Sequence, residues 1–478
     1  MPAVFDNDHE IICGATGMGK SFWVLYRIAK SFQHNLPCCY IDPKGDTYQH
    51  LLAFLATTRD GRRIWEAYKH RILFINPVSS SGYILGFNAL EPVSAFTSSQ
   101  PDRVALLANS ITSHIRRQSG FDVGEAMRMQ NIMAAAIGTL ASHGGYTMAE
   151  LPLLFVETYH DRRRDTFNPF VESLLPQIEH LWSKSFWVDQ WANWTGDARR
   201  EWVQSTLGRI FQYLFDERML YTLCTVNHCK MDFRRLVDEG YWLFVNIPYP
   251  LLSETITTVL GNFLTVKIIY ACMQRSLGSR PYRLILDEAR FFNTGPLDQI
   301  LETARAYNLS VTLVVQSLTQ MARAREGFLD WHLMETAKAN ARYWSVFQDY
   351  ADKDILADMM FPVTGEQAMG IRVNGDPLLR PPAAEENRNQ RVFTDLGFRE
   401  VVVWDKLKGS PKTGRTPQVV MDPPEQRKLD LFEAQHLQLT GAPASSIRAE
   451  IVARQERVRK MLKPEGPVGR PAQMGGIL

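Results

Sequence analysis

This 478-residue sequence has few cysteines, a net charge close to zero and no long apolar runs. Six irregularly placed cysteines provide no disulfide framework, which favours a reduced, cytosolic protein over a secreted one. The 53 Lys and Arg residues against 51 Asp and Glu leave a formal charge of +2, which excludes a histone-like or tail-driven nucleic-acid binder. A channel lined by local basic loops is not excluded. No run approaches the ~18 apolar residues of a membrane span, because the best stretch, 257–272, contains Asn262 and Lys267. We therefore expect a soluble protein that reaches any membrane through partners.

The apolar residues, 45% of the chain, follow two patterns in different parts of the sequence: short strand-like runs and longer helical spacing. Short apolar runs separated by helical stretches are typical of parallel strands in an α/β sheet. These runs are 9–13, 38–41, 71–75, 241–247, 283–286, 311–315 and 343–347. An edge strand is predicted at 400–404 and a polar loop at 370–391.

Between the two α/β stretches, helical patterns replace the strand signals, for example at 102–117 and 124–142. We predict an inserted all-α domain over 96–237, flanked by a discontinuous nucleotide-binding domain over 1–95 and 238–425. Tryptophans crowd one part of the insertion at helical spacing, which favours a helical core over a base-stacking surface. They are Trp182, Trp187, Trp191, Trp194 and Trp202.

A C-terminal helical segment with a flexible tail is predicted over 426–478. Its apolar stripe, Ile447, Ile451, Val458 and Leu462, allows two interpretations: a solvated terminal helix, or a docking segment for a partner or a neighbouring subunit.

The strongest motif is a complete phosphate loop, Gly14-Ala15-Thr16-Gly17-Met18-Gly19-Lys20-Ser21, between a predicted strand and a predicted helix. Its glycines let backbone amides surround phosphates, Lys20 can reach the β- and γ-phosphates, and the Ser21 hydroxyl can bind Mg²⁺. The sequence therefore predicts binding of ATP with Mg²⁺ by all eight residues of this loop.

A second motif, Asp287-Glu288, ends the apolar run 283–286. In a phosphate-loop protein, the first carboxylate would lie by the metal and the second by the attacking water. We predict Asp287 as the Mg²⁺ ligand and Glu288 as the general base, which makes the protein an ATPase with a RecA-like core.

Two further segments are Asp42-Pro43-Lys44-Gly45-Asp46 and the stretch from Pro296 through Gln316 to Gln320. In this order the four motifs resemble the TraG/TraD family, the coupling-protein ATPases of conjugation and type IV secretion, within the FtsK/HerA group of DNA pumps. By this resemblance, 42–46 lies beside the nucleotide and Gln316 is a sensor for the γ-phosphate. Arg305 is either an arginine that reaches a neighbouring subunit's nucleotide or an exposed helix arginine.

The resemblance implies a DNA translocase, a homohexameric ring, that feeds DNA or a relaxase–DNA substrate to a type IV secretion channel. Its partners would be DNA, relaxase and channel components. The phosphate loop begins at residue 14, unlike that of membrane-anchored family members. We therefore expect a cytoplasmic protein, recruited by its partners to the inner face of the membrane. Two alternatives stay open: a HerA-like DNA-processing or defence ATPase with a nuclease partner, and a docking hub for protein cargo whose assembly ATP controls.

Contacts with DNA are harder to predict. Most basic pairs, including 116–117, 162–164, 199–200 and 234–235, are typical of solvated helix faces. Arg323 and Arg325 follow the sensor strand and are the better predictions for a ring's central channel. Cys224, His228 and Cys229 lack a second cluster of metal-binding residues and are interpreted as structural.

Overall fold

The computed structural model describes residues 8–93, 104, 108, 123–156, 168–194, 201–208, 214–229, 231–276, 278–292, 295–325, 328–371, 376–419 and 425–462. The helix predicted at 102–117 lies outside the described residues, apart from the helical and buried Val104 and Ala108. The basic runs 116–117, 162–164 and 199–200 and the tail from 463 also lie outside them.

The apolar runs of the sequence form the strands of one large sheet. The strands in chain order are β1 (Glu10–Cys13), β2 (Cys38–Asp42), β3 (Ile72–Ile75), β4 (Tyr83–Ile84), β5 (Trp242–Asn246), β6 (Tyr282–Leu286), β7 (Leu309–Val314), β8 (Arg323–Arg325), β9 (Phe328–Asp330), β10 (Tyr343–Val346), β11 (Ala368–Ile371), β12 (Pro377–Leu379), β13 (Glu400–Asp405), β14 (Lys412–Arg415) and β15 (Ala442–Pro443). Nine of them pair in the order β14-β13-β10-β1-β7-β6-β2-β5-β3. The neighbours from β10 to β3 are parallel, which confirms the predicted α/β class with a mostly parallel sheet.

The central strands are apolar along their whole length because both of their faces are buried. Every residue of β2, β5, β6 and β7 is buried. This double burial explains why they occur in the sequence as continuous apolar runs rather than as alternating patterns.

Two predictions near the C-terminal side of the sheet were wrong. The run 400–404 belongs to β13, which is not an edge strand, because the polar β14 pairs with it and carries the exposed Lys412 and Arg415. The stretch 370–391 is not a loop, since it contains the end of β11, all of β12 and most of the helix Pro382–Thr394. That helix has Pro at its first position but buries two polar residues and one apolar residue, so its sequence shows little apolar periodicity.

Helices connect the strands of the sheet. The α-helices of this part of the chain are Lys20–Gln33, Asp46–Thr57, Arg59–Tyr68, Phe233–Glu239, Tyr249–Leu252, Glu254–Met273, Gly295–Thr303, His332–Asn340, Lys353–Met360, Pro382–Thr394 and Gln426–Thr440. Short 3-10 helices are Lys69–Arg71, Ala289–Phe292, Ala304–Tyr307 and Leu318–Met321. Among the described residues, one helix, Glu254–Met273, is long and apolar enough to cross a membrane. Because 78% of its apolar window is buried inside the protein, it has the character of a core helix.

The chain divides into two compact units. The first comprises 1–85, 93–97 and 230–443 and contains the sheet, and the second comprises 86–92, 98–229 and 444–478. The described helices of the second unit are Val123–His143, Met148–Phe155, Pro169–Leu174, Leu175–Gln177, Leu181–Ser185, Phe186–Gln190, Trp191–Asn193, 201–208, Glu217–Leu223 and Ala444–Leu462.

Tryptophans form much of the second unit's core. Trp187 is fully buried and donates its indole N–H to Thr139 Oγ1 at 2.8 Å. Its ring contacts that of Trp191, and the contacts continue through Trp194 to Trp202. Trp182 is 37% exposed. The described part of this cluster is thus mainly a packing core.

The C-terminal stretch divides between the two units, unlike the single segment predicted over 426–478. The helix Gln426–Thr440 packs within the first unit, where Glu433 accepts hydrogen bonds from Asn76 and Ser79. The helix Ala444–Leu462 packs within the second unit. Its apolar stripe is buried against its own chain at Ile447, Ile451 and Val458, which corrects the idea that this stripe docks on a partner.

Candidate active site

Sheet order brings the four sequence motifs to one edge of the first unit. The neighbouring strands β1, β7, β6 and β2 are parallel, so the residues that follow them meet at their shared carboxyl end. This edge is where open α/β sheets bind ligands. The phosphate loop follows β1, the segment 43–46 follows β2, Asp287 and Glu288 follow β6, and Gln316 follows β7.

The phosphate loop has the backbone that its glycines permit. Gly14, Gly17 and Gly19 all have positive φ, at 137°, 81° and 108°. At Gly14 a Cβ atom would also lie 2.7 Å from Cβ of Phe347, so a larger residue does not fit. The helix Lys20–Gln33 begins at the last two residues of the loop, which directs unpaired backbone N–H groups towards a bound anion.

Lys20 is held by its own loop. Its ammonium donates to the carbonyl oxygens of Gly14 at 2.5 Å and Ala15 at 2.9 Å. Burial lowers the pKa of Lys20, and the charge of Glu288 partly offsets that effect. Ser21 is half-buried in the first turn of the helix.

Asp287 is a buried carboxylate suited to a cation. Tyr40 donates its hydroxyl to Oδ2 at 2.9 Å, and the backbone N–H of Glu288 donates to Oδ1 at 3.0 Å. Burial and the nearby negative charge of Asp42 raise the pKa of Asp287 to about 7. A bound divalent cation would offset both the burial of the Asp287 carboxylate and its repulsion by Asp42. Asp287 and the Ser21 hydroxyl thus fit the oxygen-ligand chemistry of Mg²⁺.

Glu288 lies in a strained and unevenly satisfied position. Its φ of 49° is unusual for a residue other than glycine, and such strain is typical of functional sites. Its Oε1 accepts from the Lys44 ammonium and from Gln316 Nε2, the latter at 2.9 Å. Its Oε2 is buried and has no hydrogen-bond partner among the described residues, with Arg290 Nε 3.9 Å away.

The segment after β2 forms a tight turn that presents Lys44. The Asp42 carboxylate accepts the backbone N–H groups of Lys44 and Gly45 at 2.9 Å and that of Tyr48 at 2.8 Å, which starts the helix Asp46–Thr57. Gly45 has a φ of 89°, and a Cβ there would lie 3.0 Å from Asn246 Oδ1. Burial raises the pKa of Asp42, whereas these backbone bonds lower it.

Three predicted site residues lie away from this cluster or outside the described side chains. Arg305 lies in the 3-10 helix Ala304–Tyr307, before β7, and therefore at the sheet edge opposite the phosphate loop. The six residues of β7 separate the two edges by about 20 Å. Arg323 and Arg325 lie in β8, which forms an antiparallel hairpin with β9. The side chains of all three arginines lie outside the described part of the structure.

Sequence reasoning missed several contacts that shape the site. Lys44 belongs to the segment 42–46 that was predicted beside the nucleotide, but its contact with Glu288 was not predicted. Arg290, whose Nε lies 3.9 Å from Glu288 Oε2, was missed, although it follows the Asp287-Glu288 motif directly in the sequence. Asp352 was not foreseen either: its Oδ2 accepts the backbone N–H of Leu318 and so holds the loop that contains Gln316. The Gln348 carbonyl accepts the N–H of Ala15 at 2.7 Å, and the Met18 carbonyl accepts that of Arg399 at 3.0 Å. These contacts depend on strand order, which no local motif reveals.

Among the described residues, no group of three or more His, Cys, Asp or Glu side chains is placed to hold a metal ion. Cys224 is buried, and burial raises its pKa to about 12. Cys229 is half-buried.

No protein-family model matches this sequence, and no curated protein matches it significantly. Solved structures do match its fold. The bacterial conjugative coupling protein TrwBdeltaN70, in an unbound form, has a TM-score of 0.59 at 15% identity, covering 89% of this chain and 88% of its own. TrwB in complex with ADP and Mg²⁺ has a TM-score of 0.59 at 15% identity, covering 89% of each chain. TrwB with a non-hydrolysable ATP analogue has a TM-score of 0.58 at 14% identity, covering 88% of each chain. The chain thus has the fold of a conjugative coupling protein, which confirms the predicted resemblance at the level of the fold.

Proposed function

We propose that this protein is a Mg²⁺-dependent ATPase that drives DNA, or a relaxase–DNA substrate, towards a type IV secretion channel as a hexameric ring. The observation that carries the proposal is the convergence of Lys20, Asp287, Glu288 and Gln316 at one sheet edge. The shared fold with TrwB, a plasmid coupling protein whose structure is in complex with ADP and Mg²⁺, supports the same assignment.

The chain's own residues divide the work of phosphate binding. The loop amides and Lys20 would bind the phosphates, and Lys20 would exchange its two carbonyl partners for phosphate oxygens. Ser21 and Asp287 would hold Mg²⁺. The metal, when bound, neutralises charge that develops on the phosphoryl group.

Glu288 would accept the proton of the attacking water. Its buried Oε2, which lacks a hydrogen-bond partner among the described residues, is the atom suited to this role. Gln316, whose amide already contacts Oε1 of Glu288, would orient the water against the terminal phosphate. Hydrolysis then breaks the bond between the β–γ bridging oxygen and the γ-phosphorus and releases ADP and phosphate.

Our proposal of a ring that encloses DNA depends on Arg305 and on the two arginines of the hairpin β8–β9. Because the backbone of Arg305 is about one strand length from its own phosphate loop, we propose that it serves the nucleotide of a neighbouring subunit; the alternative is an exposed helix arginine. We propose that Arg323 and Arg325 contact the phosphate backbone of DNA, where guanidinium groups bind without reading sequence. We further propose that the protein works in the cytoplasm and is recruited by partners to the membrane's inner face.

The test is ATP hydrolysis with and without single- and double-stranded DNA at two salt concentrations. We expect DNA to stimulate hydrolysis several-fold at low salt and less at high salt, because phosphate contacts release counterions. The Glu288→Gln variant, which retains the fold but lacks the base, controls for contaminating ATPases. Hydrolysis indifferent to DNA at low salt would contradict the motor and favour the docking hub.

A further inference from the structure

We infer that Lys44 is a positioning residue that restrains Glu288 until the terminal phosphate of a nucleoside triphosphate draws its ammonium away. This inference rests on the proposed ATP hydrolysis and concerns its regulation. The loop after β2 would then make release of the base conditional on a triphosphate rather than on any nucleotide.

Glu288 is restrained in the structure. Its Oε1 accepts from Lys44 and Gln316 together, so the whole carboxylate, including the Oε2 proposed as the base, is held in one orientation. Its backbone has a strained positive φ, and its Oε2 lacks a hydrogen-bond partner among the described residues. A buried carboxylate whose second oxygen has only the Arg290 ion pair at 3.9 Å, and no hydrogen bond among the described residues, is incompletely satisfied in the absence of a ligand.

The Lys44 side chain can move away from Glu288. Asp42 fixes the backbone of the turn but does not hold the Lys44 side chain, which is 29% exposed on a flexible four-carbon stem. Glu288, by contrast, is 3% exposed. The mobile member of the pair is therefore the lysine.

Lys44 lies close to the phosphate site. Lys44 follows β2 and contacts Glu288 after β6, and Lys20 begins the helix that follows β1, so both ammonium groups lie at the same carboxyl end of the sheet. Two neighbouring cations attract a polyphosphate anion. Lys20 can reach the β- and γ-phosphates, and Lys44 would add a second ammonium group beside the terminal phosphate.

A ligand can shift this equilibrium only by interacting differently with the two states. A triphosphate offers an additional charged oxygen that competes with Glu288 for Lys44, whereas a diphosphate does not. Release of Glu288 would thus follow binding of ATP and not binding of ADP.

The test measures the affinity of the full-length protein for a Mg²⁺-bound non-hydrolysable ATP analogue and for Mg²⁺-bound ADP. In Lys44→Met we expect affinity for the analogue to fall about 10- to 100-fold and affinity for ADP to change less than about twofold. Lys44→Arg, which keeps the positive charge, should retain most of the preference for the ATP analogue over ADP. Lys69→Met, at an exposed lysine before β3, is the matched control and should change neither affinity. Equal losses for both nucleotides, or no loss for the analogue, would overturn the inference.

A double-mutant cycle separates this mechanism from simple charge repulsion. Glu288→Gln should raise affinity for the analogue about tenfold in the wild type, because Lys44 is freed, but less than about twofold beside Lys44→Met. Charge repulsion alone would give an equal or larger gain without Lys44, which would overturn the inference. A wild type that binds neither nucleotide would overturn the proposed function itself.

Discussion

Each unit of the protein buries a cluster of opposite charges, and the two clusters are built differently. In the second unit Arg454 is 2% exposed and pairs with Glu150 and Glu450. It also donates to Thr147 Oγ1 at 3.2 Å and to the Cys224 carbonyl at 2.8 Å. In the first unit, Lys44 pairs with Glu288, one of whose oxygens lacks a hydrogen-bond partner in the described chain.

The difference distinguishes a structural charge cluster from a functional one. All four oxygens of Glu150 and Glu450 accept hydrogen bonds, and all members of the cluster are buried. The Lys44–Glu288 pair combines a strained backbone, a half-buried lysine and an unsatisfied oxygen. A buried charge cluster in which every hydrogen-bonding atom has a partner stabilises the fold. A cluster that leaves one atom without a partner can bind a ligand that supplies it.

We expect the largest effect from removing Arg454, the cation of the buried cluster in the second unit. Arg454→Met should lower the free energy of unfolding of the second unit by about 3–5 kcal/mol, because it leaves two carboxylates buried without their partner. Denaturant unfolding measures the loss. Arg459→Met, an exposed arginine on the same helix, should change it by less than about 0.5 kcal/mol. Similar effects of the two substitutions would show that the cluster contributes little.

In the first unit, Asp349 makes stability depend on pH. Burial raises the pKa of Asp349 to about 6, and its Oδ2 is unsatisfied in the described structure. Between pH 4 and 6 the folded protein then binds more protons here than the unfolded chain, so this group lowers stability as pH rises through that window.

Asp349→Asn should therefore flatten the fall in stability between pH 4 and 6, by about 1–2 kcal/mol over the window. Thermal unfolding across this range is the measurement. Asp395→Asn, at an exposed position, serves as the control. An unchanged pH profile in Asp349→Asn would contradict the assigned pKa.

The smallest expected effect concerns the hydroxyl of Tyr40. Tyr40→Phe removes its hydrogen bond to Asp287 Oδ2, which is worth about 1 kcal/mol. Because that bond favours the carboxylate, we expect the Mg²⁺ concentration needed for half-maximal ATPase activity to rise about two- to fivefold. A Mg²⁺ requirement identical to that of the wild type would show that Tyr40 does not position Asp287.

The sequence alone predicted the parallel sheet because its central strands are buried on both faces and therefore apolar throughout, as in β2 and β6. It failed for β14 and for the helix Pro382–Thr394, whose buried positions include Glu385 and Asn389. The chemistry of Asp287 and Glu288 follows from local order after a strand. The partner of Glu288 does not, since Lys44 lies 244 residues away and meets it only because β2 and β6 are neighbours.

The most direct test of the central claim is the position of Lys44 in two crystal structures of the full-length protein, one with Mg²⁺-bound ADP and one with a Mg²⁺-bound non-hydrolysable ATP analogue. We predict that the Lys44 ammonium contacts Glu288 Oε1 with ADP and the terminal phosphate with the analogue, with the Glu288 carboxylate then free to reorient towards water. A Lys44 that stays on Glu288 while the analogue occupies the phosphate loop would contradict the proposed role of Lys44.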